Sequence, residues 1–290
     1  MQKNKIKVFI TVFMILTALL YALEWPSDTK NLKRLFGERI TNECKIFEYG
    51  FTLKNTETVR TADYGRRLIT IENKNSMKGF PSTLGNAVVL IHADDIQTIY
   101  GNLENTDLFE TRHIADNNSI IGKTANTAWG EPNDLIFQVL DIKNSVYINP
   151  GLTLPAIEDK FPPKIKNASL VDSQNRQLNL KTNDKIKRGK YSLYVQTVDS
   201  ITAEGQQFNS MHFSVILNGI NVSNLSFQTI SIKKGKAYIK ENITAQKLYN
   251  SQTGIFLGNI KLTAGNAILQ ITTKDINNNE SVQTYQFQVE

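Results

Sequence analysis

The side chains best suited to metal binding or nucleophilic catalysis are scarce in this sequence. The chain of 290 residues contains three histidines and one cysteine. His113 and His212 have no other histidine or cysteine at the spacing of a metal site. The single Cys44 cannot form an internal disulfide, and a small buried hydrophobe is a better interpretation for it than a reactive thiol. No Ser-His-Asp or Cys-His arrangement is indicated.

The elements that would position any functional side chain are short β-strands. In EPNDLIFQVLD, residues 131–141, the apolar Leu135, Phe137 and Val139 alternate with neighbours that point to the other face. The stretches RRLITIEN, NAVVLIHA and IQTIYGNL are rich in β-branched or aromatic residues and are bounded by Gly, Asn and Asp. No long stretch has a helical period. The pattern predicts a β domain over residues 24–154.

A second β domain is predicted after a proline-rich connection. Prolines interrupt regular structure around a linker at residues 155–162. Residues 163–290 then contain apolar-polar alternation in KYSLYVQTVD, MHFSVILNG, KAYIKE, NAILQITTKD and TYQFQVE. Many short strands at this spacing predict an antiparallel β-sandwich of the immunoglobulin type. The Cys and Trp hallmark of antibody domains is absent, so this assignment depends on the strand pattern alone.

The first residues predict export. Lys3, Lys5 and Lys7 precede an uncharged apolar run from Val8 to Leu23, the form of a secretory signal. Residues 1–23 are therefore expected to be a signal peptide or an N-terminal membrane anchor, and cleavage and retention both remain open. The expected location is the periplasm or cell envelope. Without the leader lysines the net charge of +6 falls to about +3, which does not favour nucleic acid as a partner.

The first domain resembles the M23 peptidases, the LytM or lysostaphin type of peptidoglycan endopeptidase. Similar motifs occur in the family's order. They are WPSDTKNLKRLFGER (25–39), FEYGFTL (47–53), VRTADYGRRLITIEN (59–73), GNAVVLIHADDIQTIYGNLE (85–104), IADNNSIIGKTANT (114–127) and GEPNDLIFQVLDIKNSVYINP (130–150). This resemblance implies an antiparallel M23-type sheet. His92 lies where active relatives often have a histidine, and a structural or solvent-facing role is expected for it.

The resemblance also implies a zinc site whose chemistry is missing here. In the active family one His, one Asp and the second His of an H-x-H strand hold zinc, and two further histidines assist catalysis. The three ligand positions correspond to Glu48, Thr52 and Ile136, and the two assisting positions correspond to Asn102 and Asp134. Ile136 has no donor atom. We therefore expect no zinc, no catalytic residues and no cofactor.

Three functional hypotheses follow. The first is an exported non-catalytic M23-like protein that binds peptidoglycan, or a cell-wall amidase or another envelope protein, through the old groove at Glu48, Thr52, Asn102, Asp134 and Ile136. The second is an active metalloendopeptidase with altered ligands, and the third is a structural envelope protein that binds through its Ig-like domain. A hard cation held by Glu48 and Asp134 alone is also open, although two carboxylates are few for calcium. Contact with the membrane is expected only through an uncleaved leader.

Overall fold

A computed structural model describes residues 23–40, 46–72, 83–128, 131–202, 205–240, 242–250 and 254–290. The leader at 1–22 and Cys44 lie outside these ranges. Among the described residues, no helix is both long enough and apolar enough to cross a membrane.

The chain is built almost entirely of β-strands, so the all-β prediction is confirmed. The strands before the proline-rich connection are β1 (Leu32–Arg34), β2 (Gly50–Leu53), β3 (Thr58–Arg60), β4 (Gly65–Ile71), β5 (Asn86–Ile91), β6 (Ile96–Leu103), β7 (Ile114–Ala115), β8 (Ile120–Lys123), β9 (Leu135–Asp141) and β10 (Val146–Ile148). Short 3-10 helices at Ala93–Asp95 and Pro150–Leu152 and the α-helix α1 (Leu108–Thr111) interrupt them.

After the connection come β11 (Lys164–Val171), β12 (Gln177–Asn179), β13 (Lys185–Ile186), β14 (Gly189–Val198), β15 (His212–Leu217), β16 (Ile220–Ser226), β17 (Thr229–Lys233), β18 (Lys236–Ile239), α2 (Ala245–Leu248), β19 (Tyr249–Asn250), β20 (Gly254–Leu262), β21 (Gly265–Lys274) and β22 (Glu280–Val289). Two five-stranded sheets form here, in the orders β12-β11-β14-β20-β19 and β13-β22-β21-β15-β16. Their pairs are antiparallel except for β13 and β22.

The largest sheet crosses the predicted boundary between the domains. Its path runs β18-β17-β10-β9-β6-β5-β4-β7, with β2 paired to β9 and β1 paired to β2. The strand KAYIKE was assigned to the sandwich from its alternation, but it forms β18, which joins the first sheet because β17 pairs with β10. Apolar alternation shows that a segment is a strand but does not identify its partner.

Buried side chains of both halves form one continuous hydrophobic core. Phe36, Phe47 and Phe137 belong to it from the first half, and Phe213 and Phe227 belong to it from the second. Gly37 has a positive φ of 77° where the chain turns against the Phe227 ring, so both its backbone and its lack of a Cβ allow this contact. The first sheet is therefore supported by the second half of the chain.

Candidate functional site

Three adjacent strands bring the predicted ligand positions together. In register, Thr52 on β2 lies opposite Arg34 on β1 and opposite Ile136 on β9. Ile136 in turn lies opposite Gly101 on β6, the residue before Asn102. Gly50 lets β2 approach β9 closely, because a Cβ at this position would overlap the backbone carbonyl oxygen of Phe137.

Arg34 bonds both polar ligand positions. Its Nε donates to Oε2 of Glu48 at 2.8 Å, and its Nη2 donates to the Thr52 hydroxyl at 3.1 Å. That hydroxyl donates to the same Glu48 oxygen at 3.0 Å. Glu48 and Thr52 are buried, so this is an ion pair with little access to water. A guanidinium thus satisfies the two polar side chains that the resemblance assigns to a metal.

Lys33 neutralises the second buried carboxylate. Its Nζ donates to Oδ2 of Asp134 at 2.6 Å and lies 2.9 Å from Oε2 of Glu131. Partial burial acts to lower the pKa of Lys33, but the hydrogen bonds and charges of these two carboxylates outweigh burial and raise it. The hydrogen bond and charge of Lys33 lower the pKa of the exposed Glu131. Asp134 is therefore held as one side of an ion pair.

Asn102 has a structural set of contacts. It adopts a left-handed backbone conformation, with φ of 64°, which asparagine tolerates better than most residues. Its Oδ1 accepts the backbone N–H groups of Thr127 and Ala128, both at 2.9 Å. Its Nδ2 donates to the backbone oxygen of Asp134 at 2.7 Å. Asn102 thus ties the end of β6 to two loops, with its amide groups already satisfied.

All five sequence-predicted site residues are buried. The exposed fraction is no greater than 8% for any of them: Glu48, Thr52, Asn102, Asp134 and Ile136. A ligand at this face would contact the residues that cover them, among which the Glu131 side chain is 76% exposed. The groove assignment and the absence of a metal site at these positions stay predictions. The donor set of one carboxylate, one hydroxyl and an aliphatic group does not fit a catalytic zinc site.

The sequence interpretation did not identify Lys33 and Arg34. They are consecutive in NLKRLFGER, a stretch quoted above only for its W-P and F-G-x-R features. The available signal was the pair of acids at positions 48 and 134, because a buried carboxylate requires a partner. His92 has both ring nitrogens within hydrogen-bond distance of oxygens, Tyr64 O at 2.8 Å and Thr98 Oγ1 at 2.7 Å. These contacts are structural.

A cavity of about 550 Å³ adjoins the Arg34 side of the site, between the two halves of the chain. Lys33, Arg34 and Arg39 contribute positive charge to its lining, together with Glu38 and Tyr249. Glu38 accepts the backbone N–H groups of Leu35 at 2.8 Å and Asn209 at 2.7 Å. Burial nevertheless raises the pKa of Glu38 from 4.5 to about 7.

Solved structures with similar folds include three bacterial proteins. A chain of the "SpoIIQ-SpoIIIAH pore forming complex" is 20% identical, covers 47% of this chain and 92% of its own length, and has a TM-score of 0.36. Helicobacter pylori Csd3 is 19% identical over 48% of this chain and 36% of its own, with a TM-score of 0.36. Lysostaphin is 14% identical over 82% and 91%, with a TM-score of 0.35. Such low values assign no function to this chain.

Sequence comparison gives a clearer relationship. A family model, which carries no descriptive name, matches residues 162–290. A Treponema pallidum (strain Nichols) protein, described as "Uncharacterized protein", is 31% identical over 128 residues, which are 41% of this chain and 86% of that protein. Because the alignment spans most of that relative at this identity, the chain belongs to the same protein family as the Treponema pallidum protein.

Proposed function

We propose that this chain is an exported, non-catalytic M23-like protein that acts in the cell envelope by binding peptidoglycan or a protein that acts on it. The ordered M23-like motifs from residue 25 to residue 150 support the scaffold. The lysine-rich, apolar leader supports export. The non-catalytic part of the proposal depends on what Arg34 and Lys33 contact.

The Arg34 pair with Glu48 is the observation that carries the proposal. A divalent metal at Glu48 and Thr52 would have to displace a guanidinium that already bonds both side chains. The displaced Arg34 and the neighbouring Lys33 would then lie beside a metal of the same sign of charge. Ile136 offers no donor in return. The binding free energy of a complete structural zinc site, on the order of 10 kcal/mol, therefore has no basis here.

The same contacts explain how the scaffold persists without a metal. Buried carboxylates must be paired or must coordinate a metal, and here Arg34 and Lys33 provide the pairing for Glu48 and Asp134. Asn102 holds the loops that surround the site. The arrangement preserves the shape of this face while it removes the open coordination position that hydrolysis needs. Retained shape favours a binding role.

The accessible surface for binding is the rim over the ion pairs together with the adjoining cavity. Glu131 lies on this rim, and Lys33, Arg34 and Arg39 line the cavity. The positive charges of the lining favour a ligand with anionic groups. Both peptidoglycan and a protein partner remain within the proposal, and the experiment separates them.

The test is a sedimentation assay with purified peptidoglycan and a binding titration with candidate cell-wall amidases. Glu131→Lys reverses a charge on the rim, and Glu57→Lys makes the same change at another exposed glutamate. We expect wild-type binding to one of the two partners, weakened by Glu131→Lys and unchanged by Glu57→Lys. No binding and no amidase activation would refute the proposal. Release of muropeptides that a chelator abolishes would instead support an active metalloendopeptidase.

A further inference from the structure

Three aspartates from distant parts of the chain meet where the connection between the halves reaches the sandwich. Asp159 lies in the segment before β11, Asp199 directly follows β14, and Asp275 directly follows β21. One carboxylate oxygen from each lies within 4.8 Å of the others. This cluster is distinct from the ion pairs of Glu48 and Asp134, and the proposed function does not use it.

The cluster contains buried oxygens that lack partners. Asp199 is only 2% exposed, yet among the described residues neither of its carboxylate oxygens has a hydrogen-bond partner. Within that same part of the structure, Oδ2 of Asp159 is also buried and without a partner. A buried ionised carboxylate in this condition is costly unless it is paired or coordinates a metal. The oxygens thus require a cation or protons.

Local hydrogen bonds hold the three aspartates in place. Oδ1 of Asp275 accepts the backbone N–H groups of Asn277 at 2.8 Å and Asn279 at 2.9 Å. The Asn279 Nδ2 atom donates to Oδ2 of Asp275 at 2.8 Å and to the backbone oxygen of Asp159 at 3.1 Å. The backbone of Asp199 exchanges two hydrogen bonds of 2.9 Å with Phe208. The site is positioned before any ligand arrives.

The electrostatic environment points the same way. No ion pair to a lysine, arginine or histidine is found for Asp159, Asp199 or Asp275 within the described ranges. Burial first, and then the charges of Asp275 and Asp159, raise the pKa of Asp199 to about 7, against the smaller effect of the Ser200 backbone amide. Burial also raises the pKa of Asp275. Such carboxylates repel one another until a cation neutralises them.

We propose that Asp159, Asp199 and Asp275 form a calcium-binding site that fastens the interdomain connection to the sandwich. Oxygen-only ligands with several carboxylates suit a hard cation, whereas zinc and copper favour nitrogen and sulfur. Calcium fits better than magnesium because it accepts irregular geometry and a larger number of oxygens. Two free oxygens on Asp199 and one on Asp159 supply anionic ligands, and water completes the shell.

The experiment uses the purified protein after treatment with EDTA. Equilibrium dialysis against calcium, followed by elemental analysis, measures stoichiometry and affinity, and thermal unfolding is followed in CaCl2, MgCl2 and NaCl at equal ionic strength. We expect about one calcium per chain and a rise in Tm with CaCl2 that exceeds the rise with MgCl2. No bound calcium, or an equal Tm in CaCl2 and NaCl, would overturn the proposal and leave the carboxylates as proton-sharing groups.

Two variants locate the site. Asp199→Asn removes a buried charge without changing the side-chain shape, so we expect it to fold with a calcium-free Tm at or above that of wild type. It should bind calcium at least about tenfold more weakly. Asp159→Asn, in the connection, should also weaken binding, which keeps the test valid if Asp199→Asn does not fold. Asp107→Asn changes an exposed aspartate and should bind calcium like wild type. Unchanged binding in both site variants would contradict the assignment.

Discussion

Arg34 and Glu48 form a largely buried ion pair in which the guanidinium Nε lies 2.8 Å from Oε2 of the carboxylate. The two residues are on β1 and just before β2, and Thr52 completes the contact from β2. The pair is a positive charge held between two side chains that the M23 resemblance assigns to a metal. It links the loss of peptidase chemistry with the stability of the sheet.

Removal of Arg34 should therefore destabilise the protein strongly. Arg34→Met leaves the buried Glu48 carboxylate without its cation, and the loss of one partner of a buried pair costs about 3 to 5 kcal/mol. Arg60→Met breaks the pair with Asp28, whose side chain is 71% exposed, and should cost no more than about 1 kcal/mol. Urea unfolding measures both. Equal losses in the two variants would contradict the importance of the Arg34 pair.

Close packing of β2 against β9 gives a second prediction. Gly50→Ala places a methyl group onto the Phe137 carbonyl, where backbone must move, and should cost about 1 to 3 kcal/mol or more. Gly122→Ala is the matched control, because its nearest contact is 4.0 Å away and it has no positive φ. The control should unfold near the wild-type urea midpoint. A Gly50→Ala midpoint equal to that of Gly122→Ala would show that the strands are less closely packed.

Glu38 should make stability depend on pH. Its pKa is about 7 in the folded protein and has an ordinary value of 4.5, so the folded state binds the proton more tightly. The free energy of unfolding should therefore fall as pH rises from about 4.5 to about 7, by at most about 3 kcal/mol from this residue.

Glu38→Gln should reduce that pH dependence, measured by urea unfolding at pH 5 and pH 8. Asp199 titrates in the same range, so the variant should retain part of the wild-type difference. Glu57→Gln, at an exposed position, should leave the difference unchanged. An unaltered pH difference in Glu38→Gln would show that Glu38 is not the responsible group.

The first domain should not be independent of the second half of the chain. A fragment of residues 24–154 loses β17, the partner of β10, and exposes an unpaired strand edge. It also loses the contact between the Asn209 backbone and Glu38 and the hydrogen bond from the Tyr249 hydroxyl to the Gly37 oxygen. We expect aggregation or a lowered Tm, seen by size-exclusion chromatography and thermal unfolding. A monomeric fragment with the full-length Tm would refute this dependence.

Local sequence patterns predicted much of the strand content. IQTIYGNL corresponds to β6 and NAVVLIHA contains β5, because apolar and β-branched alternation is a local property. The membership of β17 and β18 in the first sheet was not predictable in this way, since it depends on which strand edge lies beside β10 in three dimensions. The motif positions of Glu48 and Asp134 were readable, but their partners Arg34 and Lys33 depend on cross-strand register.

The three aspartates were missed for a related reason. Asp159, Asp199 and Asp275 are separated by long stretches of chain, and each follows or precedes a strand in an ordinary turn-like context. No local spacing marks them as a group. Only the packing of the connection against two strand ends brings their carboxylates together.

The most direct test of the non-catalytic account is the zinc content of the purified mature protein, measured by elemental analysis before and after mild chelation. The Arg34 and Lys33 pairs predict less than about a tenth of an equivalent of zinc per chain, with no change in structure on chelation. One tightly held equivalent would contradict the account, because zinc would then have ligands other than Glu48, Thr52 and Ile136.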